Sequence, residues 1–145
     1  MKRLLVLPLV LLVAAGATLA ENLTRADEYT IHHNALTTDS LAPEMARAYG
    51  IQRSGSRGMV NISIIREQPG TTGKSVHARV KLKARELTGQ PREIALREIR
   101  EGDAIYYIAD FPVAHREHLI FDIEVIPEGE THALKARFEQ EFFTR

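Results

Sequence analysis

Six histidines, His32, His33, His77, His115, His118 and His132, are the side chains of this 145-residue sequence best suited to hold a transition metal, because neutral imidazole ligates both zinc and copper. Their spacing decides which of them could act together. Adjacent side chains of an extended chain point to opposite faces, so His32 and His33 do not readily share one ion. In His115-Arg116-Glu117-His118 a loop could gather two imidazoles and a carboxylate, although Arg116 brings a positive charge where a cation would sit. His115 and His118, with His32 as a more distant third, are the metal candidates. There is no cysteine, and the three methionines do not cluster.

A second feature is a basic ladder, in which His77, Arg79, Lys81, Lys83 and Arg85 alternate with Val76, Ala78, Val80, Leu82 and Ala84. On a strand such a row places cations about 6.6 Å apart on one face. It could follow an anionic polymer. The simpler expectation is pairing with Asp122, Glu124, Glu139 or Glu141 across neighbouring strands, or protection of a sheet edge from aggregation. Nineteen Lys and Arg balance nineteen Asp and Glu. The chain as a whole therefore has no positive field to hold nucleic acid or an acidic membrane surface.

Catalytic signatures are absent. The sequence has no nucleophile elbow, glycine-rich phosphate loop, paired zinc motif on a helix, or cysteine nucleophile. The reading is of a non-catalytic protein without a cofactor.

The elements that would carry these residues are strands, because the hydrophobic period is nearly always two. Leu119, Phe121, Ile123 and Val125 repeat the alternation of the ladder segment, as do Leu134, Ala136, Phe138 and Phe142. The runs Met59 to Ile65 and Ala104 to Ala109 are apolar on both parities, which suits strands covered on both sides. Ile94 and Leu96 share a parity that Ile99 breaks, so a β-bulge or a break in pairing is expected between Arg97 and Ile99. With Tyr29 to Leu36 this makes about seven strands, separated by turns at Gln68 to Gly73, Thr88 to Pro91, Glu101 to Asp103 and Pro127 to Glu130. An all-β immunoglobulin-like or fibronectin-like antiparallel sandwich follows, with a small barrel as the alternative. One short helix is expected after the first strand, because Pro43 opens and Gly50 closes Glu44-Met45-Ala46-Arg47-Ala48-Tyr49.

The N-terminus is a secretory signal peptide by pattern, with Lys2 and Arg3 before the apolar run Leu4 to Ala15 and a small-residue tail. Cleavage is expected after Ala20 or after Ala17. The apolar core is too short to span a bilayer, which needs about 20 residues. The chain is thus read as signal peptide 1–20 followed by one domain, 21–145, in the periplasm, with no membrane span after cleavage.

Several segments are together distinctive: Ile31-His32-His33-Asn34-Ala35-Leu36, Pro43-Glu44 through Ala48-Tyr49-Gly50-Ile51 with Arg53-Ser54, Asn61-Ile62-Ser63, and Arg97-Glu98-Ile99-Arg100-Glu101-Gly102-Asp103-Ala104-Ile105-Tyr106-Tyr107. By these segments the chain resembles a family of small exported proteins of Gram-negative bacteria, catalogued as a domain of unknown function. The run from Glu101 to Tyr107 is the most specific part. The resemblance implies a periplasmic all-β domain and brings no activity, ligand or catalytic residue with it. His33 departs from the pattern, which has an aromatic residue there, and this weakens a family-wide role for the His32-His33 pair.

The functional expectation is a domain that binds another protein or an envelope component and no nucleic acid. It would use a sheet edge, or the rim made by the helix and the Arg53 to Gly58 loop. Tyr106, Ile108, Arg53 and Arg57 are the candidate contact residues, the first two because their run has more apolar positions than one buried face needs. The rival expectation is a zinc or copper module built on the loop histidines.

Overall fold

The computed structural model describes residues 22–145. The signal peptide and its cleavage point lie outside the described residues. Two antiparallel sheets face each other across one core, and no barrel forms. The first sheet has the order β1 (Leu23–Ala26), β2 (Tyr29–Thr37), β3 (Arg57–Arg66), β8 (Ala104–Pro112), β7 (Arg97–Glu101), with the two-residue β4 (Lys74–Ser75) also paired to β3. The second has the order β10 (Leu134–Phe142), β9 (Glu117–Pro127), β5 (Ala78–Arg85), β6 (Arg92–Ile94).

The alternation read from the sequence is what builds the core. Ile31, Val60, Ile62 and Ile64 of the first sheet meet Leu82, Ala84, Leu119, Phe121, Ile123 and Val125 of the second, all almost fully buried. Each of these side chains other than Ala84 contributes about 1.5–3 kcal/mol by leaving water. Phe121 is stacked on Phe138 at 4.9 Å between ring centroids.

Ten strands stand among the described residues where about seven were expected. Two of the additional ones, β1 and β4, are too short to show a period. The third arises because the run around Ile94 to Ile99 divides. Pairing does break there, at Ala95–Leu96 rather than after Arg97, and the break is a change of sheet: β6 pairs with β5, and β7 with β8. The parity of Ile94 and Ile99 differs because the two side chains belong to opposite layers.

The helix α1 (Pro43–Tyr49) has the predicted bounds, with Pro43 in its first turn and Gly50 left-handed at φ 66°. Glycine suits that closing position because it has no Cβ to clash. Because β1 precedes β2, the helix follows the second strand, not the first. It packs on the outer side of the first sheet, where Leu41, Ala46, Ile51, Met59 and Ile108 form a second, smaller apolar cluster.

The register on the outer face of the second sheet sets Lys81 opposite Glu124 and Lys83 opposite Asp122, as expected for the ladder, but neither closes an ion pair among the described residues, and Asp122 accepts the Arg137 Nε–H at 2.6 Å instead. Glu139 and Glu141 do not take part, because β10 lies on the far side of β9. They meet His118 and Arg116 instead. Among the described residues no helix is long and apolar enough to cross a membrane.

Candidate binding cleft

The change of sheet between β6 and β7 determines what gathers at one end of the sandwich. It carries Glu98 and Arg100 of β7 to the neighbourhood of His77, the residue just before β5. His77 Nδ1 lies 2.7 Å from Glu98 Oε1. Tyr107 Oη donates to the same carboxylate oxygen at 3.2 Å and accepts the Ala78 backbone N–H at 2.9 Å. The Arg100 guanidinium reaches His77 Nε2 and stands 3.8 Å from Glu98 Oε2. An imidazole that donates from Nδ1 and accepts at Nε2 fits both neighbours in its neutral form. Burial is the main cause that pushes the Tyr107 hydroxyl above the usual phenol range, and the Glu98 charge adds to it, so the hydroxyl remains a donor.

Around this chain of hydrogen bonds opens a cleft of about 720 Å³, lined by Arg66, Lys74, His77, Arg100, Asp103 and Glu128 among others. A second cleft, of about 480 Å³, shares His77 and Glu128 with it and runs on to Arg79 and Glu130. The lip at β4 depends on Gly73, whose φ is 78° and where a Cβ would come within 2.5 Å of Ile65 Cγ2 and 2.8 Å of the Arg66 carbonyl oxygen. Arg66 is tied to Tyr29, donating to its hydroxyl at 2.7 Å with its guanidinium 5.3 Å from the ring centroid. Among the described residues Lys74, Asp103 and Glu128 take part in no ion pair. The cleft therefore offers charges of both signs that are not already spent on each other. Ser75, two residues from His77, accepts the Ile105 N–H at 3.0 Å. What the arrangement can do is hold a polar or charged group.

The residues singled out from the sequence are placed elsewhere. Ile108 is fully buried beneath α1 and has no surface to offer a partner, which corrects the expectation of direct contact. The surplus apolar positions of its strand are explained by the helix that covers them. Tyr106 is half-buried against the same cluster. Arg53 donates to the carbonyl oxygens of Leu41 at 2.8 Å and Asp39 at 2.9 Å, holding the turn before the helix. Arg57 pairs with Asp110 at 2.8 Å, a carboxylate it shares with Arg97.

The histidines are likewise dispersed. His118 Nε2 meets Glu139 at 2.7 Å, while His115 Nδ1 accepts the Thr144 N–H at 3.2 Å. His32 is exposed on the outer face of β2, in the other sheet. Among the described residues no three His, Asp or Glu side chains come together in a way that could hold a metal ion. His33 points inward and is stacked on Phe138, a core role consistent with an aromatic residue at that position in the family resemblance.

In the sequence His77 is one of the six histidines and the first rung of the ladder; in the structure it precedes β5 and faces the cleft. Glu98, Arg100 and Tyr107 gave no signal of their own, because no periodicity marks a pair of residues brought together by a change of sheet. There was one indirect signal. The stretch Glu101 to Tyr107, the most specific part of the family resemblance, supplies Asp103 and Tyr107 to this end of the molecule, and Glu98 and Arg100 lie in the segment just before it.

Comparison with known proteins agrees with the fold. A crystal structure of a DUF4426 family protein from Pseudomonas aeruginosa PAO1 is 33% identical, with a TM-score of 0.71, over 85% of this chain and 94% of the other. Two structures of FetP from uropathogenic Escherichia coli strain F11 share the fold at 11% identity. One is of protein expressed recombinantly in the periplasm, with a TM-score of 0.60 over 85% of this chain and 93% of that one. The other is a copper-bound variant, with a TM-score of 0.61 over 85% and 95%. No curated protein matches the chain. The family model for a domain of unknown function, DUF4426, matches residues 23–145, and the chain belongs to that family.

Proposed function

We propose that this protein is a non-catalytic binding module of the periplasm that engages another protein or an envelope component through the cleft between β4, β7 and the β9–β10 turn. The observation that carries this reading is the set of uncommitted charges, Lys74 beside Asp103 and Glu128, around the fixed His77–Glu98–Tyr107 chain. The side chains of Lys74, Asp103 and Glu128 are exposed, so each is solvated in the free protein and open to a partner that brings the opposite charge. The rim of Arg53 and Arg57 is a poorer candidate, since both guanidinium groups are occupied by the protein itself. The periplasmic location is supported by the Met1–Ala20 pattern and by the shared fold of a protein produced in that compartment.

Crosslinking in intact cells tests the site. A photoreactive residue at Lys74 should give a discrete crosslinked species that is missing from the same residue placed at Arg47 on α1, and Arg100→Glu should reduce its yield. Absence of the species, or equal yields from both positions, would overturn the reading. Fractionation should recover the protein from the periplasm, with an N-terminus generated after Ala20 or Ala17; recovery from the cytoplasm would remove the location.

A second reading, a zinc or copper module using His115, His118 and His32, draws on the copper-bound FetP variant. Calorimetry of tag-free mature protein with each metal separates the two. Sub-micromolar binding abolished by His118→Ala would put this reading in place of the first.

A further inference from the structure

We propose that the unpaired part of β5, Ala78–Lys81, accepts an extended polypeptide segment as an added strand, with apolar residues inward and acidic residues outward. The proposal rests on the reading of the protein as a binding module and specifies its mode.

The backbone gives the first reason. β6 pairs with β5 only over Leu82, Lys83 and Ala84. Before Leu82 no strand lies on that side of β5 among the described residues, because the chain has left for the other sheet. Which groups are exposed follows from the ladder. The His77 carbonyl accepts Glu128 N–H at 2.8 Å, so the odd-numbered residues of this stretch turn their backbone groups toward β9. The even-numbered ones turn the other way. Ala78 lies opposite Pro127 in the register, and its own N–H, on the open side, goes to the Tyr107 hydroxyl. Two residues on, the N–H and C=O of Val80 point to the same open side without a strand to meet them.

The side chains give the second. Where β6 covers β5, Leu82 and Ala84 are completely buried. Where it does not, Ala78 and Val80 are only half-buried, as are Val76, Ile94 and Leu96 around them. The core is thus open along the same stretch whose backbone is unpaired, and one inserted strand would close both.

Charge specifies the occupant. Lys83 stands between Asp122 of β9 and Glu93 of β6, an acid on each side. Lys81 has Glu124 on one side and no strand on the other. An incoming segment that continues the line of β6 would place an acidic residue beside Lys81, as Glu93 lies beside Lys83, with apolar residues against Val80. A second copy of β5 would set lysine against lysine, so the edge disfavours self-pairing.

The probe is the capped peptide Val-Glu-Val-Glu-Val-Glu, titrated into the mature protein while backbone amides are followed by NMR. The Val80 amide, freely exchanging at first, should shift saturably and slow its exchange by roughly tenfold or more, as a newly paired strand amide does. Lys81→Glu, an exposed change that leaves the core intact, should weaken binding by roughly tenfold. The blocked order Val-Val-Val-Glu-Glu-Glu and a peptide with proline in the centre should give neither effect. The proposal is overturned if the alternating peptide causes no shift at millimolar concentration, if the blocked order acts equally well, or if Val80 in the free protein is already as protected as Leu82. A Lys74 crosslink in cells together with a silent peptide titration would end strand addition and leave the module standing. Peptide binding without the crosslink would do the reverse.

Discussion

His33 shows how one residue can carry a pH dependence for the whole domain. Its ring is 3% exposed and stacked on Phe138 with centroids 4.5 Å apart. Nε2 lies 3.0 Å from Thr24 Oγ1 on the edge strand β1, and Nδ1 has no partner within the described residues. Burial lowers its pKa from 6.5, since an imidazolium there would lose its water. The unfolded chain therefore takes up the proton more readily than the folded one. The contribution to stability is complete above pH 6.5 and is lost as the pH falls through the folded pKa. Urea unfolding of the mature protein should show the free energy falling between neutral and mildly acid pH, with a slope from this group of at most about 1.4 kcal/mol per pH unit. His33→Phe keeps the stack and should flatten that slope. Equal slopes in the two proteins would show that His33 does not carry the effect.

At the scale of elements, α1 and the sheet it covers explain why an apolar run in the sequence resembles an interaction surface. Ala104 to Ala109 is apolar on both parities because one face meets the opposite sheet and the other meets the helix. Ile108→Ala tests this directly. It should cost about 2–5 kcal/mol in unfolding free energy, the range for a large side chain removed from a packed core. An exposed contact residue would instead change stability by about 0.5 kcal/mol or less. A small loss on chemical denaturation would thus return Ile108 to the surface role.

The whole molecule behaves as one unit if its two sheets depend on the same core. Nearly all the large buried side chains belong to one cluster that draws on both layers, and β10 closes against β2 along one side. Tyrosine fluorescence, which reports Tyr29, Tyr106 and Tyr107 of the first sheet and Tyr49 of the helix that covers it, and far-UV circular dichroism, which reports both sheets, should therefore give one coincident transition. Two separated midpoints would mean that the layers unfold independently. Charge must also be considered at this scale. Equal numbers of acids and bases exclude a general positive field, but they do not require every charge to be paired, and the cleft residues Lys74, Asp103 and Glu128 are examples of charges that are not.

The sequence by itself determined whatever depends on neighbours in the chain. Period-two alternation makes strands and selects their buried faces, and Pro43 with Gly50 sets the ends of the helix. The placing of Lys81 opposite Glu124 and of Lys83 opposite Asp122 is legible too, because opposite charges tend to face each other on wet strand faces. Only the tertiary structure decided which strands neighbour one another. That is why β1 and β4 escaped notice, why Glu139 and Glu141 serve His118 and Arg116 rather than the ladder, and why the histidines disperse. The cleft belongs to the same class. His77 and Glu98 are 21 positions apart in the chain and meet at 2.7 Å because the strand between them changes sheet, and a register across layers leaves no periodic trace in the chain that adopts it.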